Sequence, residues 1–274
     1  MPDTISDSDI EDGQVTTLAA LNLTRPNWVG LEAVQDDYLL VIAQPTSDSQ
    51  RPCRSYKIQI SLTSSGIVVA REAGTNFLPP SCPERHINAD GSFCIGYNAG
   101  GGVVGPEAAR RWWRKLEAHL LCQETAHREG TWPASSALSH GDAALLQLEA
   151  ENLGEKLGML DSVRAAVQGY GWIADHLWQV TDNGKSLLNK RKPCLCGYRE
   201  KSGNTKLRRE CLKDQDPCLM LLEAQRRDAE ERYWEAMKKK PCCGTMKVCP
   251  LSKDRSPRKD RRAARRSSGN AKGR

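Results

Sequence analysis

At 274 residues and 39% hydrophobic composition, the chain has the length for one large domain or two smaller ones with a real core. The net charge of +6 is unevenly held: residues 251–274 carry ten Lys or Arg against two Asp, so residues 1–250 sum to −2, which excludes a uniformly basic binder. No run of about eighteen apolar residues exists, so no membrane-spanning helix is expected; the acidic start argues against a secretory signal, and eleven cysteines then point to a reducing, cytoplasmic setting.

The first twelve residues hold five acids and no base, so residues 1–14 are expected to be disordered. The apolar run Tyr38-Leu39-Leu40-Val41-Ile42 predicts a buried strand. Tyr56 to Leu62 alternates, apolar at even positions and polar at odd ones, which predicts a half-buried strand. Ser64-Ser65-Gly66 is a turn, and Ile67-Val68-Val69 begins a third strand. Three strands with short connections predict an antiparallel meander with one face to be covered. Gly105-Pro106-Glu107 is a helix start, with Trp113, Leu116 and Leu120 at helical spacing and Gly130 at the close. A second helix follows Ser139-His140-Gly141-Asp142, with Leu146, Leu153, Leu157 and Leu160 on one stripe. The fold class is therefore α+β: a meander with flanking helices. Residues 161–192, with Tyr170, Trp172 and Trp178, form a connector, and Leu221 to Lys240 reads as a charged helix with a Glu235–Lys239 pair.

Between strands and helices lies the segment from Leu78-Pro79-Pro80 through His86-Ile87-Asn88-Ala89-Asp90-Gly91-Ser92-Phe93-Cys94. The prolines stiffen the approach, and Asn88, Asp90 and Gly91 are turn formers, so Cys94 ends a short polar turn instead of sitting in an apolar run. Gly100-Gly101-Gly102 then offers a flexible, open lip. A reactive thiol needs such a held backbone and a nearby amide for an oxyanion. The competing reading makes Cys94 a buried or metal-bound cysteine, with Cys82 and His86 as co-ligands. His140, at a helix start, is either a general base for the thiol or a surface residue beside a cap formed by Ser139 or Asp142. His119 and His127 are bystanders on the preceding helix.

This segment resembles the active site of ubiquitin-conjugating enzymes, in which His-Pro-Asn precedes a Gly-x-x-Cys. Here Ile87 replaces the proline, Asn88 lies six residues before the cysteine, and Ile95-Gly96 follow it. The shortened loop, Cys82-Pro83-Glu84-Arg85 and the Ala-Arg-Arg-Trp-Trp helix are more similar to the bacterial branch, whose members accompany activating enzymes and deconjugating proteases or cyclic-nucleotide antiphage systems. The resemblance covers roughly residues 37–149. It implies that Cys94 carries a modifier as a thioester, that Asn88 stabilises the oxyanion (a donor worth roughly 3–4 kcal/mol), that His86 shapes the loop, and that Asp90 orients or deprotonates the amine. It also implies a separate ATP-dependent activating enzyme, a ubiquitin-like modifier and a target lysine as partners. The chain itself has no phosphate-binding glycine loop with Lys-Ser/Thr.

Seven of the eleven cysteines lie between 194 and 249. Cys194-Leu195-Cys196-Gly197 is a metal-knuckle sequence, and Cys211 and Cys218 can complete a four-thiolate zinc site. The knuckle resembles the zinc motif at the C-terminus of the SecA translocase, with a longer gap of fourteen residues before Cys211. Cys242, Cys243 and Cys249 form a second group, part of that site or a second one. The tail after Leu251 lacks aromatic residues; it can hold phosphates of a nucleic acid without reading bases.

The expected organisation is a disordered acidic start (1–14), a ubiquitin-conjugating-like domain (15–160), a helical connector (161–192), a cysteine-rich zinc module (193–250) and a disordered basic tail (251–274). The expected function is acyl transfer through Cys94, in an antiphage setting by the resemblance. A Cys94–His140 thiol hydrolase and a non-catalytic zinc-stabilised adaptor are the alternatives.

Overall fold

A computed structural model describes residues 16–47, 51–74, 77–175, 180–181, 184, 186–188, 191, 193–194, 207 and 218–252. The acidic start, Trp178, Cys196, Cys211 and the basic tail from residue 253 lie outside the described residues. The chain divides into two units, residues 1–132 with Cys243–Lys247, and residues 133–242 with 248–274.

In the first unit, α1 (Thr17–Leu23) begins where the Thr16 hydroxyl accepts the Ala19 N–H at 3.3 Å. Four strands follow in sequential antiparallel order: β1 (Val29–Val34), β2 (Tyr38–Ala43), β3 (Tyr56–Leu62) and β4 (Val68–Glu72). The register sets Leu39 opposite Ile60, Val41 opposite Ile58, and Ile60 opposite Ala70, so one face of the sheet carries the core. Alternation in β3 has its physical cause here, with Tyr56, Ile58 and Ile60 inward and Lys57 and Gln59 less buried. The long helix α2 (Gly105–Glu129) adds Ala109, Trp112, Trp113, Leu116 and Leu120 to the same core. Each such large side chain contributes about 1.5–3 kcal/mol by leaving water. Trp113 satisfies its indole N–H on the Leu21 carbonyl at 3.0 Å, which fixes α1 against α2.

The meander has one strand more than its hydrophobic pattern suggests. β1 buries only Val29 fully, and its register shifts between Leu31 and Ala33, so no alternation reaches the sequence.

The second unit is helical: α3 (Ala143–Lys156), α4 (Leu160–Val167), α5 (Gly171–Asp175) and α6 (Leu219–Met237). Helix α3 packs on α4 and α6 around Ala150, Val163, Ala166, Leu219, Met220 and Leu222. The stripe expected to run to Leu160 breaks at Gly158, whose φ of +67° ends α3, and Leu160 opens α4 instead. On α6, Glu223 is buried and receives Arg226 at 2.7 and 2.9 Å and Arg227 at 2.7 Å. Arg226 also donates to the Ser139 hydroxyl at 2.9 Å, so the buried charges are paired and hydrogen-bonded. At the exposed end Glu235 pairs with Lys238, not Lys239, at 3.1 Å.

Candidate active site

The chain leaves β4, passes Leu78 and the prolines, and makes one tight turn at Pro83–Arg85. His86 closes that turn in the left-handed region (φ 53°, ψ 43°), which reverses the chain. Cys82 and Ile87 exchange two backbone hydrogen bonds at 3.0 Å across it. The following residues fold back on themselves: Asn88 N–H donates to Ser92 O at 2.8 Å, Ile87 bridges Phe93, and Cys94 N–H donates to His86 O at 2.8 Å. Phe93 N–H reaches Ala70 O at 2.8 Å, so this ribbon is anchored to β4. Ile87 and Phe93 point into the core. Alternation along the ribbon sends Asn88 and Cys94 to the opposite side.

Side chains hold the same shape. Asn88 Nδ2 donates to Ser92 Oγ at 3.0 Å, and Asp90 Oδ1 accepts from Ser92 N–H at 3.0 Å and from Ser92 Oγ at 2.7 Å. The Ser92 hydroxyl bond holds the Asp90 carboxyl below the usual carboxylate range, so Asp90 is ionised at neutral pH. Cys94 is half-buried. Burial pushes its thiol pKa up, partly offset by a backbone hydrogen bond at Gly96.

The glycine run is closed at its first residue, while Gly102 is exposed. Gly100 is buried and its carbonyl accepts the Val68 N–H at 3.0 Å; a Cβ there would lie 2.0 Å from Val68 O. Only glycine lets this loop close onto β4.

Behind the ribbon stands a polar cluster that sequence reasoning passed over. Arg85 is 1% exposed; its Nε donates to Gln123 Oε1 at 2.8 Å, while Gln123 Nε2 donates back to the Arg85 carbonyl at 2.7 Å. Gln123 Nε2 also lies 2.9 Å from His119 Nε2. His119 stacks on Phe93 at 4.9 Å, and Trp132 tilts over both His86 (4.8 Å) and His119 (5.6 Å). Burial, reinforced by the Arg85 charge, lowers the His119 pKa to about 3, so the ring is neutral. His119 and Gln123 fall at i,i+4 on the same stripe of α2 as Leu116 and Leu120, and that helical phase is the signal that could have found them.

The remaining sequence-derived residues go elsewhere. His140 belongs to the second unit, where its Nδ1 lies 2.7 Å from Glu230 Oε1 and its N–H donates to Glu230 Oε2 at 2.8 Å. Its ring stacks on Tyr233 and stands edge-on to Trp234. Burial raises the Glu230 pKa, but the bonds from His140 outweigh it and leave the carboxyl depressed. Cys194 and Cys218 are buried with their sulfurs 4.0 Å apart. Cys243 lies in the first unit, 2.9 Å from Cys82 Sγ. The hydrogen bond between the two sulfurs, with help from Thr245 and Arg85, brings the Cys243 thiol down to about 5 against the effect of burial. Cys242 is half-buried and Cys249 buried. Among the described residues, no three or more His, Cys, Asp or Glu side chains converge as a metal site, so Cys82, His86 and Cys94 do not form one. Nor, among them, is any helix long and apolar enough to cross a membrane.

Comparison with known families gives two matches, a prokaryotic E2 domain over residues 30–134 and a cysteine-rich domain, C-terminal to the E2 domain, over residues 139–251. No curated protein and no solved structure matches the chain significantly. Together the family matches support a conjugating-enzyme-like function. With the four-stranded meander, its covering helix and the cysteine-bearing ribbon between them, they place the chain in the prokaryotic E2 family whose members carry a C-terminal cysteine-rich domain.

Proposed function

We propose that Cys94 carries the C-terminal acyl group of a ubiquitin-like modifier as a thioester and passes it to a lysine amine on a target protein. The observation that carries this is the Cys94 ribbon: a half-buried thiol, bonded through its own N–H to His86, within the segment matched by the E2 family. A separate ATP-dependent activating enzyme supplies the modifier as its own thioester. The Cys94 thiolate attacks that carbonyl, the new C–S bond forms and the activating enzyme's thiolate leaves. A lysine amine then attacks the Cys94 thioester, an amide forms, and the Cys94 sulfur leaves and takes up a proton.

Asn88 is the oxyanion donor in this scheme. One of its amide N–H groups holds Ser92, and in this scheme the other donates to the oxyanion. Asp90 stays charged and keeps the turn closed through Ser92, presenting a carboxylate to orient an incoming ammonium. His86 acts through its backbone, as the acceptor for the Cys94 N–H. His140 serves the second unit through Glu230.

We also propose that the cysteine-rich domain holds a structural zinc. The separation of 4.0 Å between Cys194 and Cys218 fits the edge of a zinc–thiolate tetrahedron, about 3.8 Å for Zn–S bonds near 2.3 Å. Cys196 and Cys211, outside the described residues, are the remaining two thiolates of the set. Purified protein is expected to hold one zinc per chain by elemental analysis, and Cys194→Ser with Cys218→Ser to lose it. Full metal content in the double variant removes the assignment.

The test of the carrier role is intact-mass and tryptic analysis of Cys94→Ser protein, expressed with its neighbouring genes. Serine traps the acyl group as a slowly hydrolysed oxyester, so an added protein mass mapped to residue 94 and released by mild base is the expected result. An unmodified chain beside an active pathway points instead to the hydrolase or the adaptor. The hydrolase would depend on His140; the adaptor would be indifferent to Cys94→Ala.

A further inference from the structure

Cys243 comes from the cysteine-rich end of the chain yet lies with residues 243–247 in the first unit. Its sulfur is 2.9 Å from that of Cys82 and 3.1 Å from the Thr245 hydroxyl. Two further bonds dock the short segment, one at its end and one at its middle. Lys247 N–H donates to the Gly130 carbonyl at 2.7 Å, and Arg85 Nη1 donates to Thr245 Oγ1 at 3.4 Å. Cys82 is 1% exposed and Cys243 is only half-buried, so one of the two sulfurs meets solvent and the other waits behind it. Their separation is well inside the roughly 3.8 Å edge of a tetrahedral thiolate site, which argues against two ligands of one zinc. It is also longer than the roughly 2.05 Å of a formed disulfide, so no S–S bond joins the two sulfurs in this state.

We propose that Cys82 and Cys243 are a redox pair that closes to a disulfide when a hydroperoxide reaches Cys243. The Thr245 hydroxyl stands beside the Cys243 sulfur and itself receives Arg85 Nη1, so a hydroxyl backed by a positive charge borders the sulfur, whose nucleophilic form is the thiolate. That thiolate attacks the terminal peroxide oxygen and the O–O bond breaks. Water, or an alcohol from an organic hydroperoxide, leaves, and Cys243 becomes a sulfenic acid. The Cys82 sulfur then attacks the sulfenic sulfur; hydroxide departs and takes the Cys82 proton as water. Overall two thiols lose two hydrogens and the peroxide is reduced by two electrons.

The placement gives the bond a consequence. Cys82 opens the turn that carries Arg85 and His86, and both its backbone N–H and its carbonyl pair with Ile87. A disulfide here ties residues 243–247, which follow helix α6 in the chain, to the base of the ribbon that presents Cys94. The pair stands whether or not Cys94 carries a thioester.

The test uses full-length protein, reduced, desalted and exposed to stoichiometric hydrogen peroxide, then blocked with N-ethylmaleimide and digested without reduction. A linked peptide pair containing Cys82 and Cys243, two hydrogens lighter than its halves, is expected in the wild type and in Cys242→Ser. It disappears in Cys243→Ser, an accessible position where folding is not at stake, and in Cys82→Ala. Oxidation raises Tm only in chains with both cysteines. The proposal is overturned if Cys82 and Cys243 remain fully alkylatable after peroxide, if Cys243 accumulates as sulfinic acid or joins another cysteine, or if the two thiols react only after a chelator has removed a metal.

Discussion

Gln123→Ala is expected to unmake the support under the active-site ribbon. Gln123 is fully buried, and its amide serves three partners: the Arg85 Nε, the Arg85 carbonyl and His119 Nε2. Alanine leaves all three without that partner. An unsatisfied buried polar group costs about 1–3 kcal/mol, more beside a charge. Arg85 keeps two weaker contacts at 3.4 Å, to the Gln123 carbonyl and the Thr245 hydroxyl, and water can enter the space left behind. The expected loss is therefore about 3–5 kcal/mol, a large share of the roughly 5–15 kcal/mol that holds an ordinary domain. Urea denaturation followed by near-ultraviolet circular dichroism reads the loss. Hydrogen exchange reads its location, with faster exchange at Cys94 N–H, whose acceptor is the carbonyl of His86, next to Arg85. Gln123→Glu keeps the acceptor for Arg85 and loses the donor, so it should fall between wild type and alanine. A loss below about 1 kcal/mol in Gln123→Ala, with unchanged exchange at Cys94, would refute the idea that this cluster holds the ribbon.

Three further outcomes are expected. His119, neutral in the fold with a pKa near 3, gains a proton on unfolding below its ordinary value of 6.5; stability from this group is complete above that value and falls as pH drops toward 3, by about 1.4 kcal/mol per unit. Denaturation at pH 7, 6, 5 and 4 should show this slope in the wild type and lose it in His119→Gln. Because burial raises the Cys94 pKa, alkylation of Cys94 by iodoacetamide should climb about tenfold per pH unit between 7 and 9, whereas Cys243 should react at a nearly constant rate over that range; peptide mass spectrometry separates the two. Gly100→Ala places a methyl group 2.0 Å from the Val68 carbonyl, so the loop must leave β4, and thermal melting should report a loss of about 2 kcal/mol or more.

The strands and the long helix were legible because their burial is periodic. Ile58 and Ile60 alternate with Lys57 and Gln59, and Trp113, Leu116 and Leu120 repeat at helical spacing because each set faces one core. β1 was not legible, since an edge strand with a register shift buries too little for any period to show. The Cys94 turn announced itself through its turn formers, which do make the turn: Asn88 and Asp90 both bond Ser92. What composition could not show is long-range pairing. Arg85 meets Gln123 38 residues away, and Cys82 meets Cys243 161 residues away, and neither partner carries a local mark of the other. For the same reason the sequence could not say whether Cys242, Cys243 and Cys249 join the site of Cys194 and Cys218 or stand apart, whereas the fold sends Cys243 to the first unit and keeps Cys194 beside Cys218 in the second.

The raised Cys94 pKa bears on how a carrier cysteine should be tuned. A low thiol pKa speeds attack by the thiolate form, but it also makes the sulfur a better leaving group, so the resulting thioester is lost more readily to water. A thiol held in its neutral form has the reverse balance. It captures an acyl group efficiently only when a partner supplies a thioester already aligned with it, and it then keeps that group until an amine is placed against it. Burial on the ribbon side, opposed only by a backbone hydrogen bond at Gly96, sets Cys94 toward this second regime. A hydrolase needs the opposite: a base close enough to ionise the thiol and rapid loss of the acyl group to water. His140 spends its ring on Glu230 and its stacking on Tyr233, and among the described residues no charged group lowers the Cys94 pKa. A thiol raised by burial is thus the state that the proposed acyl carrier calls for.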